Sequence, residues 1–398
     1  MIDNLVFKKE IEKEFHQLLN WWITNMVDEE NGGFYGRIDG HNQLHPQADK
    51  AIILNTRILW TFAAAANFSP NESYKATAKR SYDYLIQYFW DTEAGGVYWM
   101  LDYQGKAIQT KKQIYAQAFA IYAFSEYYQL TREEEALEKA IYLFELIEKY
   151  SFDKVANGYF EAYSQDWKLL EDLRLSEKDA NEAKTMNTHL HILEAYTNLY
   201  RVHQSDHLKK QLANLICLFL NKFITPPSPH LHLFFDENWN LKSHEISFGH
   251  DIEASWLLVE AAEVLGDLEL IKETKSLAVK IAKVTLQKGI AKDGSILNEA
   301  NPNEIIDDDR HWWPQAEAII GFLNAYQISN NNTYLDTCFN LWNFTKEHIL
   351  DQDKGEWHWM VDNKGLPNYQ EDKAGPWKAP YHNGRMCLEV LKREIARN

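Results

Sequence analysis

Several features that would point to a membrane or to secretion are missing from this 398-residue sequence. It has no run of about 18 consecutive apolar residues, which a membrane-spanning helix needs. Its first residues, Met1 to Leu5, do not form the basic and apolar segment of a signal peptide. There are only three cysteines, Cys217, Cys338 and Cys387, far apart and set in apolar stretches. We therefore expect a cytoplasmic protein with buried, reduced thiols.

Basic residues are also scarce. The chain has 41 Lys and Arg against 58 Asp and Glu, a formal net charge of −17, which argues against nucleic acid because phosphate binding needs clustered cations. Neither a G-x-G-x-x-G run nor a phosphate loop occurs, so no nucleotide cofactor is expected. No His-Glu-x-x-His run or similar ligand spacing occurs either. The sequence therefore predicts neither a metal nor a cofactor.

What the sequence does contain is typical of a globular protein with a large core, at 45% hydrophobic and 25% charged residues. Aromatic residues reach 14%, with 14 Trp. Aromatic faces commonly pack against the apolar faces of sugar rings. The composition therefore favours a small carbohydrate ligand. We also expect a monomer or weak homodimer.

A turn of Gly and aromatic residues recurs six times at intervals of about sixty residues, which indicates an internal repeat. It occurs in the ranges 31–36, 94–99, 157–160, 233–236, 293–296 and 354–359. Between the turns the apolar residues recur at helical spacing. The predicted helices are 8–27, 49–67, 74–90, 112–129, 132–150, 187–205, 207–223, 250–265, 267–288, 312–328, 332–349 and 382–396.

Six helical hairpins that each need a neighbour close most simply into a ring, with six helices inside and six outside. The repeat therefore predicts an all-α fold, an (α/α)6 barrel formed by one domain over residues 1–398. We expect the Gly and aromatic turns to form short β-hairpins on one rim. The remaining loops are expected to line the mouth on the other rim.

Three histidine-bearing segments, at 184–191, 247–253 and 379–385, stand at the starts of predicted inner helices. A helix start carries unpaired N–H groups and the positive end of the dipole, which favours a neutral imidazole and nearby negative charge. Those are the needs of proton abstraction next to a carbonyl. A single histidine is more often structural, but three at equivalent places in a repeat favour a catalytic function.

Other polar residues accompany these histidines at helical spacing. Asn187 can share a helix face with His191, and Glu253 with His250, where Glu253 could orient the imidazole or bind a sugar hydroxyl. Trp313 and Glu317 lie one turn apart in a helix that begins at a proline, and Trp313 is either the floor of a pocket or a core residue. Arg57, inside an apolar helix, is costly to bury unless it is paired or binds ligand oxygens.

At these segments the sequence resembles the N-acylglucosamine 2-epimerase superfamily and, within it, the cellobiose 2-epimerases. The resemblance runs over nearly the whole chain, on the ranges 186–191, 249–256 and 377–385. It implies an (α/α)6 barrel that interconverts glucose and mannose at the reducing end of β-1,4-linked disaccharides. It further implies that His250 and His382 are the acid/base pair and that His191 supports ring opening and the enediolate. The residues that it implies as sugar-binding are Arg57, Tyr115, Asp179, Asn187, Glu253, Trp313 and Trp377, and the helical spacing adds Glu317.

Four other functions stay open at the level of sequence. A 2-epimerase specific for free mannose and an aldose–ketose isomerase of the same superfamily share the histidines. A glycoside hydrolase on the same barrel would need two carboxylates flanking the scissile bond, whereas these helix starts present histidines. A non-catalytic sugar-binding protein would explain the tryptophans but not the histidines.

Overall fold

The computed structural model describes residues 4–224 and 228–395. Within these ranges the chain forms twelve α-helices, and each of them overlaps one of the twelve predicted spans. They are α1 (Asn4–Asn25), α2 (Ile52–Phe68), α3 (Glu72–Tyr84), α4 (Ile114–Thr131), α5 (Glu134–Tyr150), α6 (Met186–Val202), α7 (Asp206–Leu218), α8 (Phe248–Leu265), α9 (Leu268–Lys288), α10 (Trp312–Ser329), α11 (Asn332–Phe344) and α12 (Tyr381–Lys392). Helices α3, α7 and α11 each continue into one π-helical turn, at Leu85–Phe89, Phe219–Phe223 and Thr345–Ile349.

The burial pattern separates the helices into two sets. In α2 every residue from Ile52 to Ala66 is buried, and a helix that is apolar all round must be surrounded by other elements. In contrast, α5 buries one stripe that includes Ala136, Ala140 and Leu143. The even-numbered helices therefore stand inside and the odd-numbered helices outside.

The inner helices form a closed ring. Each one contacts the next, from α2 through α4, α6, α8 and α10 to α12, and α12 contacts α2. Every outer helix from α3 onward packs on the inner helix before it, and α1 packs on α12. This confirms the predicted (α/α)6 barrel. The assignment of residues 1–398 to one domain stays a prediction.

Each outer helix leads into a turn that is closed by a single β-bridge. The six bridges are Val27 to Phe34, Trp90 to Val97, Phe152 to Tyr159, Ile224 to Leu231, Ile290 to Ile296 and Leu350 to Trp357. The predicted fourth turn at 233–236 is wrong, because Phe234 and Phe235 form a strand instead. The turns need glycine where the chain has positive φ, as at Gly158, where φ is +86° and a Cβ atom would approach the Trp239 ring to 2.5 Å.

Short strands follow the turns and link neighbouring repeats. They are β1 (Lys50–Ala51), β2 (Met100–Leu101), β3 (Ala107–Gln109), β4 (Lys112–Gln113), β5 (Ala162–Tyr163), β6 (Lys184–Thr185), β7 (Phe234–Phe235), β8 (Ile246–Ser247), β9 (Glu299–Ala300), β10 (Ile305–Asp307), β11 (Arg310–His311) and β12 (Met360–Val361). The strand in front of an inner helix pairs antiparallel with the hairpin of the next repeat, as β1 does with β2 and β6 with β7. A bridge from Ile38 to Ala374 closes the circle between the last repeat and the first.

The mouth of the barrel lies on the same rim as these hairpins. The strands run directly into the N-terminal ends of the inner helices, where the histidines stand. The opposite rim carries short connections such as Arg132–Glu133 and Gly266–Asp267. The expectation that other loops line the mouth was therefore wrong, because the link from an outer to an inner helix holds both the turn and the site.

Buried ion pairs fasten this rim to the inner helices. Lys50 lies two residues before α2, and its Nζ atom is 2.8 Å from Oδ2 of Asp28 in the preceding turn. The same arrangement joins Lys112 to Asp91 and Lys184 to Asp153, at 2.7 Å in both cases. Each aspartate also accepts backbone N–H groups of its own turn through Oδ1. These pairs, which the sequence reasoning missed, hold the chain two residues before α2, α4 and α6 against the preceding turn.

Two further expectations have clear outcomes. Cys338 and Cys387 are buried free thiols, as predicted, but Cys217 is exposed. The prediction for Cys217 was wrong because this residue falls outside the buried stripe of the outer helix α7. Within residues 4–224 and 228–395, no helix is both long enough and apolar enough to cross a membrane.

Candidate active site

Nine of the eleven predicted site residues line one cavity of about 170 Å³ at the mouth of the barrel. They are Arg57, Tyr115, Asn187, His191, His250, Glu253, Trp313, Trp377 and His382. The cavity is completed by Trp312 and Trp359, which were not predicted. The inner helices α2, α4, α6, α8, α10 and α12 all contribute to it, because their N-terminal ends converge on the axis of the ring.

His250 is the third residue of α8. Its Nδ1 atom lies 2.8 Å from the hydroxyl oxygen of Ser247, the N-cap residue of the helix. Glu253, which was expected either to orient this imidazole or to bind sugar, is hydrogen-bonded to Arg385 instead. Burial lowers the pKa of His250 to about 3, and the neighbouring His191 and His382 add to the shift. The imidazole is therefore neutral and can accept a proton.

His382 is the second residue of α12 and faces the same cavity. Its Nδ1 atom lies 2.7 Å from Oε1 of Glu317 on α10. Burial lowers the pKa of His382 to about 3 and outweighs Glu317, which raises it. The Trp313 ring contacts both histidines, with its centroid 4.7 Å from His250 and 5.5 Å from His382. Two neutral imidazoles from different helices thus meet around one indole.

His191 forms a third part of the wall. Its Nδ1 atom lies 2.9 Å from Oε2 of Glu194, one turn later on α6. The ring packs against Tyr115 and Phe119, with centroids 4.9 and 4.8 Å away. Burial lowers the pKa of His191 against the opposing effect of Glu194. The spacing of His191 and Glu194 equals that of His250 and Glu253, but only the former pair is hydrogen-bonded.

Arg385 lies under the three histidines with its guanidinium fully enclosed. Its Nη2 atom contacts Glu253 and Glu317 at 2.5 and 2.6 Å, and Nη1 contacts Glu194 and the Tyr381 hydroxyl. Although burial alone would raise the pKa of Glu317, Arg385 and His382 lower it to about 2. Glu317 is therefore a carboxylate, and a carboxylate beside Nδ1 of His382 can only accept.

Arg57 holds the side of the cavity that faces α4. It donates hydrogen bonds of 2.9 Å from Nη1 to the Trp377 carbonyl and from Nη2 to the Tyr115 hydroxyl. The Nε atom of Arg57 and the Oδ1 atom of Asn187 are buried without a hydrogen-bond partner in the part of the chain that the structure describes. Buried polar groups are costly to leave unpaired. These two atoms can therefore form hydrogen bonds with a polar ligand.

Two predicted residues stand outside this cavity. Asp179 accepts hydrogen bonds from the backbone N–H and hydroxyl of Ser176. It lines an adjoining cavity of about 510 Å³, which shares Asn187 and His250 with the first. Glu317 is fully buried behind His382 and does not line the cavity. Its contacts are those of a residue that holds His382.

Sequence reasoning also missed several residues that shape the site, namely Ser247, Glu194, Trp359 and Arg385. Two of them carried a signal, because Glu194 follows His191 by three residues and Arg385 follows His382 by three. That spacing places each pair on one helix face. No local pattern indicated that Glu194 and Arg385 would meet each other across the barrel.

The oxygen and nitrogen atoms of Glu253, Glu317 and His382 lie within 4.8 Å of one another, which is close enough to hold a metal ion. The Nη2 atom of Arg385 already contacts both carboxyl groups. The guanidinium thus supplies a cation to this cluster.

The sequence of this chain is similar to those of known proteins. The family model of N-acylglucosamine 2-epimerase (GlcNAc 2-epimerase) matches residues 33–384. The chain belongs to the N-acylglucosamine 2-epimerase family. It is 51% identical to a cellobiose 2-epimerase of Bacteroides fragilis over 97% of this chain and 99% of that one. A cellobiose 2-epimerase of Dictyoglomus turgidum is 40% identical over 98% of this chain and 100% of that one.

The solved structures of this epimerase family agree with the fold. A cellobiose 2-epimerase from Bacillus thermoamylovorans superposes with a TM-score of 0.94 at 40% identity, covering 98% of this chain and 99% of that one. The expected resemblance and the expected enzyme class are both confirmed, and the protein is an isomerase of the carbohydrate epimerase type.

Proposed function

We propose that this epimerase interconverts glucose and mannose at the reducing end of β-1,4-linked disaccharides such as cellobiose, lactose and mannobiose. The observation that carries the proposal is the pair of neutral imidazoles, His250 and His382, which reach one cavity from different inner helices. The 51% identical relative is named cellobiose 2-epimerase, which supports a disaccharide substrate.

The reaction is an exchange of the proton on carbon 2 of the open-chain sugar. One neutral imidazole takes that proton, and the electron pair of the C–H bond forms a double bond to carbon 1 while the carbonyl electrons move onto O1. The product is a cis-enediolate. The second histidine takes up a proton from solvent while the enediolate carries its negative charge, returns that proton to carbon 2 from the other face, and the aldehyde re-forms. The first histidine releases the abstracted proton to solvent, so both imidazoles are neutral again at the end of the turnover.

Inversion needs groups on both faces of the planar enediolate, and one fixed base cannot easily serve both. His250 on α8 and His382 on α12 both contact the Trp313 ring, and we assign one face to each. Glu317 stabilises the imidazolium form of His382. Ser247, a neutral hydroxyl, can hold either form of His250.

The opposite wall supports ring opening and the charge on the enediolate. His191 is held by Glu194, and its ring packs on Tyr115. The Arg57 guanidinium, only 3% exposed, brings a positive charge to the site in a region with little water. A fixed charge of this kind is worth most where the negative charge develops.

The adjoining cavity gives room for the second sugar ring. It opens from the first at Asn187 and His250 and is lined by Asp179. Trp377 stands at the edge of the smaller cavity, with its ring centroid 5.9 Å from those of Tyr115 and Trp99. We assign Asn187, Trp313 and Trp377 to sugar binding in the first cavity and Asp179 to the second.

The proposal includes catalysis without a metal or nucleotide, because Arg385 supplies the cation that the carboxyl cluster needs. It also includes a cytoplasmic location and a monomer or weak homodimer. The net charge of −17 supports a partner other than nucleic acid.

The test is incubation with cellobiose, lactose, mannose and N-acetylglucosamine in deuterated water, followed by NMR of carbon 2. We expect the disaccharides to gain deuterium at carbon 2 and to invert there. Turnover of mannose alone would indicate a monosaccharide epimerase, and a ketose product would indicate an isomerase. Release of monosaccharides would indicate a hydrolase, and binding without turnover a sugar-binding protein.

A further inference from the structure

The cluster under the histidines holds three carboxyl groups and one guanidinium. Glu194, Glu253 and Glu317 are 2%, 1% and 0% exposed, and Arg385 is 1% exposed. All three carboxyl groups contact the same guanidinium. Carboxyl groups this close together in a buried site cannot all be ionised beside one cation. The cluster therefore retains a proton.

The hydrogen bonds show which carboxyl group is least stabilised as an anion. Glu317 receives donors from Arg385, from Nδ1 of His382 and from Nε1 of Trp256, the last at 3.0 Å. Glu194 accepts hydrogen bonds from Arg385, the Tyr381 hydroxyl and His191.

In the part of the chain that the structure describes, Glu253 accepts a hydrogen bond only through Oε1, from Arg385, and Nδ1 of His382 lies 4.0 Å from the same oxygen. The Oε2 atom of Glu253 is buried with no hydrogen-bond partner among the residues that the structure describes. Burial raises the pKa of Glu253 well above its ordinary value, and Glu317 adds to this. In the same cluster the pKa values of Glu194 and Glu317 are lowered instead, mainly by Arg385.

We propose that Arg385 is a positioning residue that leaves the proton of this cluster on Glu253, so that its Oε2–H group donates a hydrogen bond to the sugar oxygen that gains charge in the enediolate. Glu253 is the one member of the three that lines the cavity of His250 and His382. A neutral acid in an apolar site is an effective donor to a developing oxyanion. This inference rests on the proposed enediolate reaction.

The protonation state can be measured in the free enzyme by infrared difference spectroscopy, which detects the C=O stretch of a protonated carboxyl group. Glu253→Gln preserves the shape and neutrality of the acid, so it should lose one such band at neutral pH and keep the melting temperature. Glu317→Gln and Glu194→Gln each remove one negative charge, so the same band should remain but titrate at lower pH, and both variants should lower the melting temperature. Persistence of this band in Glu253→Gln would overturn the assignment.

The donor role is tested by a matched pair of variants. Glu253→Gln keeps an N–H donor, whereas Glu253→Met fills the space without one. Loss of a single oxyanion donor costs about 10²- to 10³-fold in kcat, so we expect that loss in Glu253→Met and less than about tenfold in Glu253→Gln. KM should change little in both variants. Equal kcat values for the two would contradict the donor role.

The part played by Arg385 is tested through the number of protonated carboxyl groups, which a purely structural residue would not control. In Arg385→Lys one ammonium cannot reach the three carboxyl groups and the Tyr381 hydroxyl together. A second carboxyl group should therefore be protonated and give a second C=O band. Glu194→Gln keeps Arg385 and removes one negative charge, so the band of Glu253 should titrate at lower pH than in the parent. Unchanged bands in both variants would refute this role.

The infrared result does not depend on the sugar. If the proton is on Glu253 but no deuterium enters any sugar, the proposed reaction fails while the charge assignment stands. If epimerisation occurs without the infrared band, only the present inference fails.

Discussion

The Nδ1 atom of His382 lies 2.7 Å from Oε1 of Glu317, and both side chains are buried. Because the carboxylate can only accept, Nδ1 carries the hydrogen and the lone pair of the neutral ring is on Nε2. This fixes the tautomer that a general base needs.

Replacing Glu317 by Gln should therefore reduce kcat by about 10²- to 10⁴-fold, as expected when a histidine is held in the wrong tautomer or loses its counter-ion. The matched change is Ser247→Ala at His250, where a neutral hydroxyl is lost and the decrease should be smaller. Steady-state kinetics on cellobiose would measure both. A larger loss in Ser247→Ala would contradict the different supports assigned to the two histidines.

His250→Ala and His382→Ala should each abolish measurable epimerisation, because removing an acid or base costs about 10²- to 10⁴-fold. Both variants should still fold, since these side chains line the mouth. One of them could keep exchanging the carbon 2 proton of one epimer with deuterium without inverting it. His41→Ala, at an exposed position, is the control. Rates within about tenfold of the parent in both variants would show that the chemistry lies elsewhere.

Asp179→Ala should reduce kcat/KM for cellobiose much more than for mannose, because Asp179 lines the adjoining cavity that we assign to the second sugar. The control is Trp313→Ala, which should impair both sugars, because that ring contacts both His250 and His382. The measurement is the ratio of kcat/KM for cellobiose to kcat/KM for mannose in each variant. An unchanged ratio in Asp179→Ala would remove the case for a disaccharide subsite.

His189 should make the stability of the protein depend on pH. It is fully buried, its Nε2 atom accepts the Tyr159 N–H at 2.9 Å, and burial lowers its pKa to about 3. The unfolded chain, with an ordinary histidine pKa near 6.5, therefore binds more protons between pH 6.5 and 3. Stability from this group is complete above pH 6.5 and is lost on acidification, by up to about 1.4 kcal/mol per pH unit.

His189→Gln should thus be less stable than the parent at pH 7, and the difference should narrow as the pH falls toward 5. Urea unfolding at a series of pH values would measure both free energies. Parallel curves for parent and variant would contradict a neutral buried His189.

Full activity should survive EDTA treatment and dialysis, because the Arg385 guanidinium already contacts both Glu253 and Glu317. The assay is epimerisation of cellobiose before and after chelation. Loss of turnover that only an added divalent ion or nucleotide restores would refute metal and nucleotide independence.

The repeat made most of the fold predictable. Turns at intervals of about sixty residues divide the chain into six units, and helical periodicity between them located all twelve helices. The boundaries were less secure where regular α-helix gives way to a π-helical turn, as at Leu85–Phe89. The rim of the mouth was misplaced because periodicity does not say which connection in a hairpin carries the functional end.

Much of the site was also predictable, since residues near the start of an inner helix reach the axis of the ring whatever the rest of the chain does. His191, His250 and His382 were predicted in this way and line the cavity, and Arg57, which also lines it, was singled out because a charge inside an apolar helix is costly. Glu317 was found by its spacing from Trp313, but its position behind His382 was not.

The number of repeats, the helices and the residues that face the axis could be predicted, because these follow from local periodicity and from the cost of burying polar groups. Which groups pair with one another became visible only in the folded chain. Glu194, Glu253, Glu317 and Arg385 come from four different inner helices, and Ser247 rather than Glu253 holds His250. Such pairings depend on how the ring closes, because hydrogen bonds and charges act over a few ångströms in space and have no fixed spacing along the chain.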